Sequence, residues 1–389
     1  MRCFERIALG GLIMLFALIS VAHAGEYGHY APFMLGIRDY FVPAKPGFYY
    51  AQYNLHYTSD DFRDKDGNSV KHFSLDASAS DARSRQRTIS GPFGGSLDVK
   101  ASITGTANLR ADVDLDVQYD SSGIAPAFIY VSNWEILGAR YAAYVAAPAM
   151  KNRLKADIKA DLGIDLGING AASLTGPGGT AIERSTGVAR TFTRQYSAGV
   201  DDELTSLGDI FVQPVWLGWN GKHFAASLAY GLYMPTGNYD VSALDNTGMG
   251  YWTNQFQAAG AWYPWEHQGT ALTLTATYEL HSDKEDKDVR PGDRFTLNYG
   301  VSQYLPLNKE QTILAEVGLC GYNQWQVSDD SGTDVAAPDV HDRVFGYGVQ
   351  LGLAFPKSDA AVSLRWMNQY SARDSFQGDY YGLNFVIKF

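Results

Sequence analysis

Residues 107–119, ANLRADVDLDVQY, alternate without a break. Ala107, Leu109, Ala111, Val113, Leu115, Val117 and Tyr119 take the odd positions, and Asn108, Arg110, Asp112, Asp114, Asp116 and Gln118 the even ones. A helix would spread these aspartates around its whole circumference. A strand sends successive side chains to opposite faces, so the segment predicts a strand with one apolar and one charged face. It is longer than the ~5–6 residues usual in soluble sheets and suits a tilted bilayer crossing of ~9–11 residues.

The same period of two runs through 49–57, 156–168, 224–234 and 379–389, and more weakly through 96–103, 124–132, 137–147, 207–219, 251–263, 270–280, 293–305, 311–322, 343–355 and 360–370. Turn-rich polar stretches separate them at 58–69, 175–187, 281–292 and 328–343, while the connections 220–223 and 356–359 are short. Long loops alternating with short turns are the asymmetry of outer-membrane barrels. Tyr and Trp gather near strand ends, among them Trp134, Trp216, Trp262 and Trp325, where a ring lies in lipid and its polar tip reaches the headgroups. Lipid leaves no water for unpaired backbone groups, so a spanning sheet must close. The expectation is an all-β, closed antiparallel transmembrane β-barrel over 48–389, of about 16 strands (range 12–18) at ~22 residues per strand and connection.

The N-terminus adds a compartment. Arg2 and Arg6 precede an apolar run, Ile7 to Val21, and then Ala22-His23-Ala24, which predicts a secretory signal over 1–24. Residues 25–47, with Pro32, Pro43 and Pro46, predict an extended leader before the first strand. Net charge is −11, which speaks against nucleic acid as a partner. Cys3 and Cys320 are the only cysteines, too few for a disulfide framework or a thiolate metal site. The histidines show no ligand spacing, and nucleotide-binding, zinc-hydrolase and serine-hydrolase motifs are absent from the sequence. No cofactor, no metal and no catalytic residue are expected, and the chain reads as a non-enzyme. A phospholipase would need a His–Ser pair on the lipid-facing wall, and the sequence singles none out.

Several stretches resemble a known family: GHYAPFMLGIRDYFVP (28–43), PGFYYAQYN (46–54), SNWEILGARYAAYVAAP (132–148), LGDIFVQPVWLGW (207–219), YMPTGNY (233–239) and GYWTN (250–254). In these the chain is similar to the outer-membrane family labelled phenol meta-pathway degradation (MetA-type) protein and to the related sphingosine-induced porin group. The resemblance implies a barrel channel, often encoded near the breakdown of aromatic or hydrophobic compounds, with no shared catalytic residues.

The expected function is passive uptake of small hydrophobic or aromatic compounds across the outer membrane of a Gram-negative bacterium. The alternative is a non-transport structural barrel or a lipid-acting enzyme. With the apolar face toward lipid, Asp112, Asp114, Asp116 and Arg110 are expected to line the lumen, and an Asp row there would favour cations. Tyr50 and Tyr233 are expected as lumen-facing rings. Arg83, Arg85 and Arg87 would join them if 82–88 is a strand. Expected partners are outer-membrane lipid and lipopolysaccharide, the small-molecule solute, and the barrel-assembly machinery through the terminal Phe389. Deleting Phe389 should lower outer-membrane yield while leaving synthesis unchanged, as read by immunoblot of membrane fractions. Normal assembly of the shortened chain would refute the terminal-strand reading.

Overall fold

The computed structural model describes residues 28–90, 96–175, 181–241, 243, 245–335 and 337–389; the expected signal at 1–24 lies outside them. In chain order the strands are β1 (Gly47–Ser59), β2 (Phe62–Arg63), β3 (His72–Ser90), β4 (Ser96–Ile136), β5 (Ala139–Ala146), β6 (Ala149–Thr175), β7 (Ala181–Leu207), β8 (Ile210–Asn220), β9 (Phe224–Met234), β10 (Thr253–Trp262), β11 (Thr270–His281), β12 (Arg294–Pro306), β13 (Leu314–Gln326), β14 (Arg343–Phe355), β15 (Ala360–Arg373), β16 (Ser375–Phe376) and β17 (Asp379–Lys388). The described residues contain no helix. Contacts divide the chain into two units. One comprises residues up to Ser69, Val117–Lys155 and Asp201–Phe389, the other Val70–Asp116 and Ala156–Val200.

The first unit is a closed antiparallel barrel. Twelve strands follow one another around the ring, β1, β4, β5, β8 to β15 and β17, and β1 closes it by pairing with both ends. Tyr53 faces Asn384 of β17 on one side and Ala125 of β4 on the other. The ring therefore has twelve strands, not about sixteen. The segments 96–103, 107–119 and 156–168 have the strand period but lie wholly or mostly in the second unit. Two of them are continuous with a barrel strand in the 41-residue β4. Alternation reports a strand, not a bilayer, so counting periodic segments overcounts crossings.

Short connections close one end of the ring. Between β4 and β5 the two-residue turn Leu137-Gly138 has φ of 54° and 72°, the paired positive values that suit a hairpin twist. Segments 221–223 and 356–359 close later hairpins at the same end. The opposite end carries the long connections 235–252, 282–293 and 327–342. On the outer wall Val301, Leu319 and Val349 are cross-strand neighbours at mid-strand, and all are exposed. Exposed rings mark the short-turn end (Phe48, Trp134, Trp262), and stacked Phe295 and Trp325 mark the other. These are the apolar band and girdles of a membrane barrel.

The second unit is an open antiparallel sheet in the order β3-β4-β6-β7. Segment 181–187, expected as loop, is the start of β7. Bonds between side chains mark one polar face, with His72 on Asp114 (2.7 Å) and Thr191 on Asp165 (2.6 Å). Leu109, Ile103 and Ile168 lie on the other.

Leu319→Arg should cost ~2–4 kcal/mol if the site is near the bilayer midplane. Asp114→Asn should change stability by less than ~0.5 kcal/mol. Urea unfolding in vesicles measures both, and the reverse ranking would refute the wall assignment.

Candidate functional site

The barrel interior is occupied by the chain's own residues 28–46. This segment, expected as an extended leader, folds into two turns closed by Met34 N–H to Ala31 O (3.1 Å) and Asp39 N–H to Gly36 O (3.1 Å). A Cβ on Gly36 would come within 2.6 Å of the Asp39 carboxylate that accepts its N–H, so a larger residue would have to displace that carboxylate. The turns fold the segment compactly and point its carbonyls outward, where wall side chains satisfy them.

Anchors surround this plug. Arg365 on β15 donates to the carbonyls of Phe33 and Leu35, and Asn384 on β17 to that of Met34 (2.9 Å). The Ile37 N–H donates to Gln350 on β14 (3.1 Å), whose amide in turn donates to Glu316 (2.9 Å). Arg38 reaches Ser302 Oγ (2.8 Å) and the carbonyls of Gln268 (3.1 Å) and Gly269 (2.8 Å), and lies 4.1 Å above the Tyr304 ring. The Tyr30 N–H donates to Glu279 (2.8 Å), and the Tyr40 carbonyl accepts from Ser227 (2.6 Å). Phe33 packs on Tyr380 with centroids 4.5 Å apart. Val42 fits against Gly218, where a Cβ would come within 2.5 Å of it.

The wall around the plug has two characters. From β10 to β15 many inward residues are polar and buried, including Gln255, Thr277, Glu279, Arg294, Glu316 and Gln350, beside the buried apolar Tyr322, Val344 and Met367. Along β1, β4 and β5 they are apolar: Tyr49, Ala51 and Tyr53 face Ala125, Ala127, Ile129 and Ala142 in one cluster, against which Met34 and Leu35 pack. A buried pair, Arg294 with Asp342, closes the polar side.

His29 ties the plug to the ends of β8, β10 and β11. Its Nε2 lies 2.9 Å from Asp209 and its Nδ1 2.7 Å from Thr253 Oγ1, which is 2.8 Å from His281 Nδ1. With His29 donating to the carboxylate, Thr253 must donate to His29 and accept from His281. The His29 ring stacks on Tyr233 at 4.7 Å. Burial holds His29 below its ordinary value of 6.5, against the raising pull of Asp209. Burial alone would raise Asp209, but the bond and charge of His29 and the N–H groups of Gly237 and Met249 outweigh it and hold the acid below 3.8.

Of the residues expected in the lumen, Tyr233 lies inside against the plug. Tyr50 does not. It is on the outer face of β1, packed edge-on to Phe128 at 5.4 Å and near Phe385. The inward face of β1 is therefore that of Tyr49, Ala51 and Tyr53, the reverse of the expectation, because its inward partners are the apolar plug rather than water. Asp112, Asp114, Asp116 and Arg110 belong to the second unit's sheet, with Arg110 bonded to Asp112 (3.1 Å) and Asp114 to His72. Arg83, Arg85 and Arg87 are on β3 of that sheet, opposite Ile103, Ala101 and Val99. None of these seven belongs to the barrel ring, so the cation preference expected from an Asp row in the lumen falls with them. Sequence reasoning missed the plug anchors Arg365, Asn384, Gln350 and Asp209. For Arg365 the signal was a charged side chain set between the apolar Leu364 and Trp366. Among the described residues no group of three or more His, Cys, Asp or Glu could hold a metal.

The sequence profile of the family described as "Putative MetA-pathway of phenol degradation" matches residues 59–385. The crystal structure of an outer membrane channel from Pseudomonas putida F1 is similar in fold, with a TM-score of 0.54 at 12% identity, covering 91% of this chain and 100% of that one. CdiB from Escherichia coli aligns with a TM-score of 0.30 at 10% identity, over 89% of this chain and 63% of that one. The outer membrane protein opdK from Pseudomonas aeruginosa gives 0.26 at 8%, over 88% and 98%. No curated protein matches the sequence.

The docked plug resists protonation of His29, whereas a released plug would take the proton near 6.5. Docking is therefore strongest above pH ~6.5 and weakens as pH falls below it. Asp209 adds a contribution present above 3.8 and lost only as pH falls through its lower folded value. Protease cleavage within 28–46 should rise between pH ~7.5 and ~5.5 in wild type and much less in His29→Gln. Equal cleavage at both values in wild type would refute this coupling.

Proposed function

Because the chain belongs to that family, we propose that it is an outer-membrane channel for passive uptake of small hydrophobic or aromatic compounds. The observation that carries this reading is the two-sided interior. A hydrophilic pore is lined by polar groups all round, but here β1, β4 and β5 present Tyr49, Tyr53, Ala127 and Ile129 inward. Such a strip holds an apolar ring with little loss of protein–water hydrogen bonds, while the polar side keeps the plug in register. The barrel works in the outer membrane of a Gram-negative bacterium, with lipid and lipopolysaccharide around its apolar band and the assembly machinery engaging the strand that ends at Phe389.

In the docked state solute and plug compete for the same wall, since Met34 and Leu35 pack on that cluster. Uptake requires the plug to leave its docked position, uncovering β1 and β4 and releasing its bonds to the polar side together. The plug's bonds to β14, β15 and β17 go mostly through backbone carbonyls and amides, so they are independent of plug side chains and can re-form after each passage.

Leu35 and Cys320 line one small cavity between plug and wall, which makes a tether possible. Cells with an intact outer membrane that express the protein should take up N-phenylnaphthylamine faster than cells without it. Cross-linking Leu35→Cys to Cys320 with a reducible thiol reagent should abolish the gain, and reductant should restore it. Uptake no faster than in cells lacking the protein would refute the channel reading. Uptake unaffected by the tether would refute the moving plug.

A further inference from the structure

On the lipid-facing side of β1 the even positions should be apolar, yet Gln52, Asn54 and His56 stand there. They form a bonded row: Tyr50 Oη donates to Gln52 (2.9 Å), Gln52 Nε2 to Asn54 (2.8 Å), and Asn54 Nδ2 to the carbonyl of Leu383. His56 is paired in register with Ser122 of β4, and its Nδ1 is 2.8 Å from Ser122 Oγ. Polar side chains on a membrane wall are costly, so their presence there calls for a function. Beside them a groove of about 440 Å³ opens on the outer wall, lined by Asn54 and His56 and by Leu351, Leu364 and Leu383.

We propose that Ser122 and His56 are the nucleophile and general base of an acyl-ester hydrolase acting on membrane lipid. The pair meets the first requirement of such chemistry, a hydroxyl within hydrogen-bond reach of an imidazole. The ring of Tyr381 lies beside His56, with centroids 6.2 Å apart and planes inclined by 27°. The groove accepts an acyl chain along its leucines. Depth agrees as well. His56 is eight residues beyond Phe48 of the short-turn girdle, which in a tilted strand is ~20 Å of an apolar band ~25 Å tall. This places the pair near the long-connection end of the band, at the level where lipid ester bonds lie.

Ser122 Oγ attacks the ester carbonyl carbon as His56 takes the hydroxyl proton. The carbonyl oxygen gains the charge, and Asn54, whose amide has two N–H groups and spends one on Leu383, has one left to bond it. The carbon–oxygen bond to the glycerol or sugar then breaks, and His56 returns its proton to the leaving alcohol. Water, deprotonated by His56, cleaves the acyl-serine, releasing a fatty acid and restoring the pair. No oxidant or metal is needed for the balance.

The full-length protein, folded in detergent, is treated with a fluorophosphonate probe and, separately, with phosphatidylethanolamine in mixed micelles. Peptide mass spectrometry should place the adduct on Ser122, and fatty acid should be released. Ser122→Ala should abolish both, and His56→Gln should slow release by ~10²–10⁴-fold. Each variant should keep the heat-modifiable mobility of a folded barrel and the dye uptake of wild type, since both residues lie outside the lumen. The proposal is overturned if folded wild type gives no adduct and no fatty acid, or if release survives in Ser122→Ala. In either case His56 and Ser122 merely satisfy one another across two strands, and the uptake assay stands unaffected.

Discussion

Every backbone N–H and C=O that enters a bilayer must find a partner inside the protein, and β1 is where this demand is met for the whole barrel. It is bonded on one side to β17, the last strand of the chain, and on the other to β4. Without that double pairing two edges would lie open in hydrocarbon, and the antiparallel order of the other strands would have no stable form. Closure also creates an inside. An inside lined on one half by Tyr, Ala and Ile and on the other largely by Gln, Thr, Glu and Arg cannot be left to water alone, because the apolar surface gains from being covered. Residues 28–46 cover it, with Met34 and Leu35 packed on the apolar side, Phe33 among Tyr57, Tyr322 and Tyr380, and their carbonyls turned to Arg365 and Asn384.

Much of this was legible in the sequence. The period of two placed each of the twelve ring strands within a few residues, because side chains on a strand that divides lipid from interior must alternate whatever the interior holds. The loops near 281–292 and 328–343 were visible as turn chemistry and the connections 220–223 and 356–359 as short, whereas the turn at 137–138 fell inside a segment read as strand. Alternation does not say which face is which. In β1 both faces carry tyrosines, Tyr49 and Tyr53 against Tyr50, and only the plug decides the choice. Nor does it distinguish a wall strand from one in an open sheet. Asp112, Asp114 and Asp116 alternate as cleanly as any residue in the chain, yet they solvate one face of the second unit. The plug itself has no period, and its partners lie hundreds of positions away, so no local pattern could reveal it.

The polar half of the interior fixes the plug's register through groups that leave little freedom. Arg38 alone binds Ser302 and two backbone carbonyls and covers the Tyr304 ring. Removing such a cation would leave buried acceptors such as Glu316 without their counter-charge, a loss larger than that of an exposed pair. The apolar half makes no such directional demands, since packing contacts between Leu35 and alanines can slide. The protein thus has one side of its interior built for precision and one for accommodation.

The order in which the chain is made gives the plug a second meaning. It is synthesised before the strands that hold it: Met34 is bonded to Asn384, 350 positions later, and Phe33 to Arg365, 332 later. These contacts, like the pairing of β1 with β17, carry a high loop-closure cost and cannot form before β15 and β17 are in place. Docking is therefore the closing event of biogenesis. Until it occurs the nascent barrel has an unfilled core, so a chain truncated before β17 has both an open seam and an undocked plug, two separate marks by which quality control can tell an unfinished molecule from a finished one.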